Sequence, residues 1–400
     1  MPSELLAQLC DRSVESFRPE RWRKNSFVYI DVSAIDTTTK RIVTAKEIAT
    51  SEAPSRAQQI VRTGDILVSN VRPNLNAVCK IVSEFDSAVC SSAFSVLRCT
   101  PALDPDYLFC YVQSPQFIDR MVSVAQGAHY PAVTDRQVFA TRLDCPNVEE
   151  QRLRAQRVLA CLRESRIAAI ACEGQRTLSM LVAERTLTEC FHGTIPISSP
   201  LRFAGPRAGW TWHALPELAS LESGHTPSRR HPEWWGGKIP WLALPDIRKL
   251  HGKHAYETTE YTNDAGIANS SARILPVGTV CVSRTASIGF VTILGKPMAT
   301  SQDFCNWVCG PELDPEFLMY AFMASQESLR ELGSGAVHKT IYMPTIESFH
   351  ICAPDIAEQR RIARRLRERL SAAETLTERL TARLTEIERL PQRLLAAAFG

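Results

Sequence analysis

Hydrophobic positions along the chain follow two different periods, and the change between them divides the sequence into four alternating parts. Short apolar and β-branched runs bounded by turn residues, such as FVYIDVSAID from Phe27 and GTVCVSRT from Gly278, predict strands. Two other segments repeat apolar residues every third or fourth position among Arg and Glu, which predicts long amphipathic helices with a seam for another helix. The predicted order is globule, helix, globule, helix.

Each predicted helix begins with almost the same phrase, CPNVEEQR at Cys145–Arg152 and APDIAEQR at Ala353–Arg360, 208 residues further on. At this spacing the helical segments also end on matching residues, Phe191 and Phe399. Upstream, LDPDYLFCYVQS and LDPEFLMYAFMAS form a second matching pair. A period near 200 residues indicates a duplicated domain, because the units of a solenoid are only about 20 to 50 residues long.

The repeat sets the predicted domain boundaries. We predict a first domain over residues 1–145, a helix over 146–193, a proline- and glycine-rich linker over 194–209, a second domain over 210–353 and a second helix over 354–400. Each helix spans roughly 65 Å at 1.5 Å per residue, although Pro391 is expected to bend the second one or end it early. Antiparallel pairing would bury both seams and place the globules at opposite ends. The alternative, that both are core helices of two separate domains, stays open.

Composition places the chain among globular proteins of the cytoplasm. Hydrophobic residues make up 44% and charged residues 22%, which excludes a disordered or fibrous protein. No apolar stretch reaches the roughly 18 to 20 residues needed to span a bilayer, and the N-terminal segment is too polar for a signal peptide. The 13 cysteines include no Cys-x-x-Cys motif, so we expect buried thiols, no disulfide framework and no zinc site.

The sequence lacks the common signatures of catalysis. It contains no G-x-x-x-x-G-K-[ST], G-x-G-x-x-G, H-E-x-x-H or G-x-S-x-G, and no Asn-or-Asp, Pro, Pro, aromatic tetrapeptide of the kind with which amino-methyltransferases grip a flipped base. The net charge of +3 decides nothing about nucleic acid, because patches and not totals set the local field. Nothing in the sequence points to an enzyme.

The chain does offer a set of turns rich in basic, amide, hydroxyl and aromatic side chains. Such side chains suit phosphate contacts and base-edge hydrogen bonds, in which Arg reads guanine and Gln reads adenine. The candidate DNA-binding residues are Arg56, Asn70, Arg72, Asn74, His129 and Tyr130 in the first half, and Arg229, Arg230, Lys238, Arg284, Thr285, Ser287, Gln302, Lys339, Thr340 and Tyr342 in the second. Trp234 and Trp235 lie among these cations but are more typical of core anchors. Similar turns at corresponding places in the two halves predict two related surfaces that recognise different targets.

With these residues in view, the chain resembles the specificity subunits of type I restriction-modification systems. The resemblance rests on the paired PNVEEQR and PDIAEQR phrases, on GWTWHALPELASLESGHTPSRRHPEWWGGKIPW, VSRTASIG and ATSQDF, and on the closing LLAAAFG. In the first half it rests on FVYIDVSAID, APSRAQQIVRTGDILVSNVRPNL and YPAVTDRQVF, another common subtype of the same domain. The tryptophan-bearing segment is absent from the first half, so DNA-contacting residues cannot be carried over from one half to the other.

The resemblance implies an α+β protein in which two similar α/β target recognition domains, an internal pseudo-two-fold repeat, are joined by two long antiparallel coiled-coil helices. Each domain would read one half of a bipartite double-stranded DNA target, and helix length would fix the unread gap between the halves. Two modification subunits, which carry S-adenosylmethionine and methylate an adenine in each half-site, would dock on the helices. Restriction subunits would add translocation and cleavage with ATP and magnesium. The chain itself would bind no cofactor and no metal.

The candidate residues for partner binding and helix pairing are Glu150, Gln151, Arg152, Glu358, Gln359, Arg360, Leu366, Leu370, Leu380 and Leu384. Two other functions stay open. One is a coiled-coil scaffold that makes no DNA contact, and the other is a diverged fused restriction or modification enzyme. Salt-dependent DNA binding would exclude the scaffold, and binding of S-adenosylmethionine by the protein alone would favour the enzyme.

Overall fold

The computed structural model describes residues 3–127, 129–191, 195–198, 206–334 and 339–400. The chain splits into two compact units, the first formed by Met1–Gly174 and Thr381–Gly400, the second by Gln175–Leu380. Each of the two long helices therefore contributes one part to each unit. Residues 199–205 of the predicted linker lie outside the described residues. No helix in the described part of the chain is long and apolar enough to cross a membrane.

The first unit contains twelve strands and four short α-helices before its long helix, counted over the described residues. The strands are β1 (Ser3–Leu5), β2 (Cys10–Asp11), β3 (Ser26–Ile30), β4 (Ile35–Asp36), β5 (Arg41–Ile42), β6 (Lys46–Ala49), β7 (Ala57–Ile60), β8 (Ile66–Ser69), β9 (Val78–Lys80), β10 (Val89–Ser91), β11 (Phe94–Cys99) and β12 (Arg142–Asp144). The helices are α1 (Leu6–Leu9), α2 (Pro105–Tyr111), α3 (Pro115–Val124), α4 (Asp135–Phe139) and the long α5 (Val148–Cys190), which crosses into the second unit.

The second unit repeats this series with additions. Its strands are β13 (Ile197–Ser198), β14 (Thr211–Ala214), β15 (Ala219–Ser223), β16 (Trp235–Leu242), β17 (His254–Ala255), β18 (Glu260–Thr262), β19 (Val280–Ser283), β20 (Val291–Leu294), β21 (Ala299–Thr300), β22 (Phe304–Cys309) and β23 (His350–Ala353). Its helices are α6 (Leu215–Leu218), α7 (Leu244–Leu250), α8 (Asp264–Ala268), α9 (Pro315–Ala324), α10 (Gln326–Leu332), α11 (Met343–Glu347) and the long α12 (Ile356–Phe399), which returns to the first unit.

The two units share one strand order. The main sheet of the first unit runs β2-β11-β8-β9, and that of the second runs β15-β22-β19-β20 with β17 added at the edge. Their inner strands Ile66–Ser69 and Val280–Ser283 are buried along their whole length, as expected of strands covered on both faces. In a second sheet, β3 pairs antiparallel with β6 and parallel with β10, and β16 pairs in the same way with β18 and β21. The predicted α+β class with two similar domains is confirmed.

Both long helices are continuous. The helix α5 has 43 residues and α12 has 44, with Pro391 inside α12. The expectation that Pro391 ends the second helix early is wrong, because the turns beyond it are held by tertiary packing: Leu395 is buried in the core of the first unit, and the Phe399 ring lies 5.1 Å from that of Tyr107. A proline costs the helix one backbone hydrogen bond, and burial of the following apolar side chains offsets that loss.

Within each unit the two long helices run antiparallel. In the first unit, Ala155 near the start of α5 shares a core with Leu395 near the end of α12. In the second unit, Leu187 near the end of α5 packs on the cluster that contains Ile362 and Leu366 from the start of α12. The α5 seam is small and polar, with Ser165, Cys172, Ser179 and Thr186 buried at intervals of seven residues. The Ser179 hydroxyl donates to the Ala373 carbonyl oxygen at 3.1 Å.

The repeated phrases of the sequence hold each long helix onto its own unit. Gln151 is fully buried, where its amide donates to the carbonyl oxygens of Ala102 and Pro146 and its Oε1 accepts from the Asp104 amide at 2.8 Å. Gln359 makes the same bonds to Glu312, Pro354 and, at 3.0 Å, Asp314. We call each set a clasp. The two repeats seen in the sequence, LDP and EQR, therefore bind one another in both units.

Candidate nucleic-acid interface

Three predicted loops of the first unit are joined by backbone hydrogen bonds just beyond β8. The Asn70 amide donates to the Ala93 carbonyl oxygen at 2.8 Å, and the Asn70 carbonyl oxygen accepts from the Val133 amide at 2.8 Å. The Arg72 amide donates to the Pro131 carbonyl oxygen at 2.7 Å. Arg56 joins the set because the Ser92 amide, next to Ala93, donates to its carbonyl oxygen. The sequence-distant candidates Arg56, Asn70, Arg72 and Tyr130 are thereby brought together.

The second unit holds the same arrangement. The Arg284 amide donates to the Asp303 carbonyl oxygen at 2.8 Å, the Arg284 carbonyl oxygen accepts from Ile341 at 2.9 Å, and the Ala286 amide donates to Lys339 at 3.2 Å. Isolated bridges pair Val71 with Ala132 in one unit and Thr285 with Thr340 in the other. Arg72 and Ala286 both adopt left-handed φ angles, 51° and 56°. We call each set, residues 70–72 with 131–133 and residues 284–286 with 339–341, a loop assembly.

The exposed side chains of the first assembly suit contact with nucleic acid. The Arg72 guanidinium lies 5.1 Å from the centre of the Tyr130 ring, which is 69% exposed. Such a pair offers a cation for phosphate and a flat face for stacking. Arg56, Asn74 and His129 are also exposed. The role of these residues in DNA binding stays a prediction.

Asn70 differs from its exposed neighbours because its side chain is used within the unit. Its amide nitrogen donates to Asp135 Oδ1 at 2.9 Å, and its oxygen accepts from the Ser95 hydroxyl at 2.7 Å. The Ser95 hydroxyl also lies 2.6 Å from Asp135 Oδ1. Asn70 therefore acts first as a positioning residue that fixes its loop on β11 and α4.

A half-buried lysine supports the turn next to the first assembly. Lys40 donates through Nζ to the carbonyl oxygen of Asn76 at 2.6 Å and to its side-chain oxygen at 2.9 Å. Asn76, which closes the turn Pro73–Leu75, also donates to the Val112 carbonyl oxygen. Burial lowers the pKa of Lys40 to about 8, and the nearby Asp36 charge opposes that change. The turn that carries Asn74 is thus anchored to the core.

In the second assembly, Arg284 ties loops together through its side chain. Its Nε donates to the Gln302 carbonyl oxygen at 3.1 Å and its Nη1 to that of Ile341 at 3.3 Å. Ser287 is 5% exposed and its hydroxyl accepts from Arg248 Nε at 3.0 Å, so its role in DNA binding stays a prediction. The Thr285 and Thr340 hydroxyls are 3.4 Å apart in half-buried side chains.

The tryptophan-bearing loop of the second unit divides its cations into two kinds. Arg229 is occupied: it forms a two-pronged ion pair with Glu260 at 2.5 and 2.7 Å, and it lies 3.8 Å from the centre of the Trp235 ring. This bond lowers the pKa of Glu260. Arg230 and Lys238 are exposed and are better placed for phosphate. Both tryptophans are half-buried, and Trp235 packs edge-on to Trp241 at 4.9 Å, as core anchoring requires.

A recess of about 530 Å³ opens beside this loop. Its lining includes His225, Thr226, His231, Trp234, Asn269 and Ser270. The His231 ring is stacked on Trp234 at 4.1 Å, and Thr226 bonds to Gln302, which is exposed. The segment around Asn269 carried no signal in the sequence. Lys339 and Tyr342, the remaining candidates of this unit, are exposed, with Tyr342 at 59%.

The helix residues predicted to bind partners separate by burial. Gln151 and Gln359 are buried in clasps within their own units, and their role in partner binding stays a prediction. Arg152 and Arg360 lie near the Asp104 and Asp314 carboxylates of those clasps, at 3.4 and 4.0 Å. Glu150 pairs with Arg154 and Glu358 with Arg361 along the helix surface. Leu366 and Leu380 are buried, and Leu370 and Leu384 are half-buried, as helix-seam positions should be.

Among the described residues there is no group of three or more His, Cys, Asp or Glu side chains that could hold a metal ion. All 13 cysteines are free thiols, and burial raises the pKa of several, for example that of Cys79 to about 12. Such thiols are inert at neutral pH.

The family model and the curated relatives of this chain both concern type I restriction enzymes. Residues 208–386 match the model of the type I restriction modification DNA specificity domain. The HindI specificity subunit of Haemophilus influenzae is 23% identical over 71% of this chain and 75% of its own length. The MjaIX specificity subunit of Methanocaldococcus jannaschii is 28% identical over 38% of this chain, and the match covers 36% of that relative's length.

Solved structures extend the likeness over the whole chain. The HsdS subunit of Thermoanaerobacter tengcongensis superimposes with a TM-score of 0.71 at 24% identity, covering 100% of this chain and 96% of the other. A structure from work on complex assembly and conformational transition of the type I R-M system superimposes at 0.75 and 24% identity, covering 100% and 97%. The domain model and the relatives agree, and the chain is similar to type I restriction-modification specificity subunits in sequence and in fold.

Proposed function

We propose that this chain reads a bipartite double-stranded DNA sequence, one half-site with each unit, and directs adenine methylation and restriction by partner subunits. The observation that carries the proposal is the pair of loop assemblies. Their backbones make corresponding hydrogen bonds, yet Asn70 and Arg72 stand in one where Arg284 and Ala286 stand in the other. Two loop assemblies that share a backbone geometry but carry different side chains suit the recognition of two different base sequences.

The partners we propose are two modification subunits, which dock on the long helices, and restriction subunits beyond them. The outward face of α5 supports a docking role, because Leu178, Leu181 and Val182 are 50–62% exposed in the second unit. Apolar side chains grouped on one helix face favour burial against another protein. Replacing Leu178 and Leu181 by Glu should abolish co-purification of a modification subunit. The matched change Glu184→Gln on the same helix should leave it intact.

We propose further that the chain is not itself catalytic, and that S-adenosylmethionine, ATP and magnesium are bound by the partners. Equilibrium dialysis of the purified chain with labelled S-adenosylmethionine should give no binding, and addition of the modification subunits should produce it. Binding by the chain alone would favour a fused enzyme. Neither that reading nor a scaffold without DNA contact has support from the family match.

The first experiment is to sequence modified adenines in the genome of the host with the gene intact and deleted. Deletion should remove adenine methylation from one bipartite motif, and that motif would give both half-sites at once. If the set of methylated adenines were unchanged while both proteins of the methyltransferase were present, the proposed function would be wrong.

A further inference from the structure

A recess of about 370 Å³ in the second unit collects positive charge next to the loop assembly. Three cationic side chains line it, from three separate segments: Arg248 on α7, Arg330 on α10 and Lys339 in the assembly itself. The remaining wall includes Ser287, Ile288 and Phe290. None of the described residues that line it is acidic.

A hydrogen bond fixes the Arg248 side chain, and close packing joins the segments that carry Arg330 and Lys339. The buried Ser287 hydroxyl accepts from Arg248 Nε at 3.0 Å, which leaves the two terminal nitrogens of that guanidinium for a ligand. At Gly333, just after α10, an added Cβ would lie 2.5 Å from Ile288 Cδ1 and 3.2 Å from Lys339 Cβ. The end of the Arg330 helix therefore presses directly on the segment that carries Lys339. The positive charge of Arg330 also acts on its surroundings, since it contributes to the lowered pKa of His251.

The chemistry of the lining selects an anion. Arg and Lys side chains are donors only, and the Ser287 hydroxyl already accepts from Arg248. A base edge would place acceptors and donors side by side, and its donors would find little to bind here. A phosphate offers acceptors alone and carries the charge that three cations favour.

The fold does not require this charge. In the first unit the Ala125 amide bonds to the Val122 carbonyl oxygen at the end of α3, as the Gly333 amide bonds to that of Arg330 at the end of α10. Val122 therefore stands in the place of Arg330 and is 46% exposed. Pro131 stands in the place of Lys339, because each accepts from the left-handed residue of its assembly. In the first unit β3 is followed by the three-residue 3-10 helix Val32–Ala34, which carries no cation, whereas β16 is followed by the seven-residue α7. Arg248 therefore has no counterpart at this place in the first unit.

We infer that Arg248, Arg330 and Lys339 form a site for one phosphate of the DNA backbone, used by the second unit alone. This inference rests on the proposed function and deepens it. A backbone phosphate seated beside Thr285 and Thr340 would fix the register of the duplex against the loops that read bases, because phosphate contacts position and base contacts specify.

The test is the salt dependence of DNA binding by the full chain assembled with its modification subunits. Neutralising the site with Arg330→Gln and Lys339→Gln should reduce the slope of log affinity against log salt by about 0.9, the value for one phosphate contact. Binding should weaken roughly tenfold at fixed salt. The preferred base sequence should not change. Arg330→Lys with Lys339→Arg, which keeps the charge, should retain the wild-type slope.

The matched control is Lys249→Gln with Lys296→Gln. Lys249 is exposed and Lys296 is half-buried, and neither lines the recess. An equal loss of slope in this control would overturn the site in favour of a general charge effect. An unchanged slope in the Arg330 and Lys339 double variant would overturn the DNA assignment. If inorganic phosphate then raised the melting temperature of the wild type but not of that variant, the recess would be a site for free phosphate. Failure of the wild-type complex to bind DNA would contradict the proposed function itself.

Discussion

The two loop assemblies have the same backbone and different chemistry. In the first unit the cation is Arg72, carried by the left-handed residue whose amide bonds to Pro131. In the second unit the left-handed residue is Ala286, and the cation Lys339 stands on the other side of the same hydrogen bond. The exposed cation lies on the other segment of the assembly, because Arg284 uses its guanidinium to bind backbone carbonyl oxygens, and the hydrogen bond between the two segments is kept. A duplicated domain can therefore acquire a new reading surface without changing the hydrogen bonds that support it.

The support of each assembly differs in the same way. Asn70 is held by Ser95 and by the Asp135 carboxylate. At the corresponding place Arg284 binds two backbone carbonyl oxygens directly, those of Gln302 and Ile341. What the duplication preserves is the backbone geometry, and each unit reaches it with its own side chains.

The largest expected effect concerns the clasps, which both units share. Gln151→Ala and Gln359→Ala should each lower the free energy of unfolding by about 3 kcal/mol, because each change leaves a buried amide and two carbonyl oxygens without partners. Urea unfolding followed by hydrogen exchange in each unit measures the cost. Glu149→Ala, at an exposed position of the same helix, should cost less than about 0.5 kcal/mol. If only one of the two glutamine changes lowered the free energy of unfolding substantially, the two clasps would not be equivalent.

The next-largest effect concerns the side chains that differ between the two loop assemblies. Arg284→Ala should relax base selection in the half-site read by the second unit, and Asn70→Ala in the half-site read by the first, each by roughly 1–3 kcal/mol of discrimination. Both changes release loops that carry other candidates, so the loss should stay within one unit. Binding to DNA with single base changes in either half measures it. Arg273→Ala, an exposed cation paired with Glu222, is the control. Equal loss at both half-sites after either change would contradict the assignment of one half-site to each unit.

Much of this architecture could be predicted from the sequence, because periodicity and repeats reflect burial along the chain. Strands such as those in FVYIDVSAID and GTVCVSRT, the two long helices and the matching LDP and EQR phrases follow from the sequence. That Gln151 and Gln359 bind the LDP turns could not be predicted from spacing, since a polar residue on a helix is usually exposed. The signal that could have linked them is that both phrases, LDP and EQR, repeat together in the two halves of the chain.

The interface was harder to predict than the fold. A loop arginine engaged in an ion pair looks like any other in a sequence, so Arg229, already paired with Glu260, was grouped with Arg230. Arg248 and Arg330 lie on helices far from the candidate turns and were missed for that reason. Asp135 was missed because a helix-start carboxylate is common, and only the fold places it against Asn70.

A smaller effect tests the left-handed residues that the two assemblies share. Ala286→Gly should raise the free energy of unfolding by about 0.5 kcal/mol, because glycine adopts a φ of 56° without side-chain strain. The gain is small because glycine also increases the conformational entropy of the unfolded chain. Ala265→Gly in α8 should do the reverse and lower it by about 0.5–1 kcal/mol. Urea unfolding followed by tryptophan fluorescence suits this unit, which holds all the tryptophans but Trp22. Loss of stability in Ala286→Gly would mean that this backbone conformation is not strained.

The smallest expected effect is a pH dependence of the second unit below about pH 6.5. Burial lowers the pKa of His251 below its usual 6.5, and the charge of Arg330 acts in the same direction. The unfolded chain therefore binds more protons than the folded one as pH falls below 6.5, so stability that is present above 6.5 is lost through that window. The carboxyl groups with lowered pKa, such as Asp11 and Asp86 in the first unit, respond only at lower pH. Between pH 7.5 and 5.5 the histidine should dominate the difference between the units.

His251→Asn separates this effect from the rest of the unit. An asparagine oxygen can accept from the Val291 amide, as His251 Nδ1 does at 3.1 Å, but does not titrate. The urea midpoint of tryptophan fluorescence should fall on acidification from pH 7.5 to 5.5 by more in the wild type than in the variant. Arg330→Gln should reduce the wild-type fall, because it removes a charge that disfavours the protonated ring. Equal acid sensitivity in wild type and His251→Asn would place the titrating group elsewhere and remove this contrast between the units.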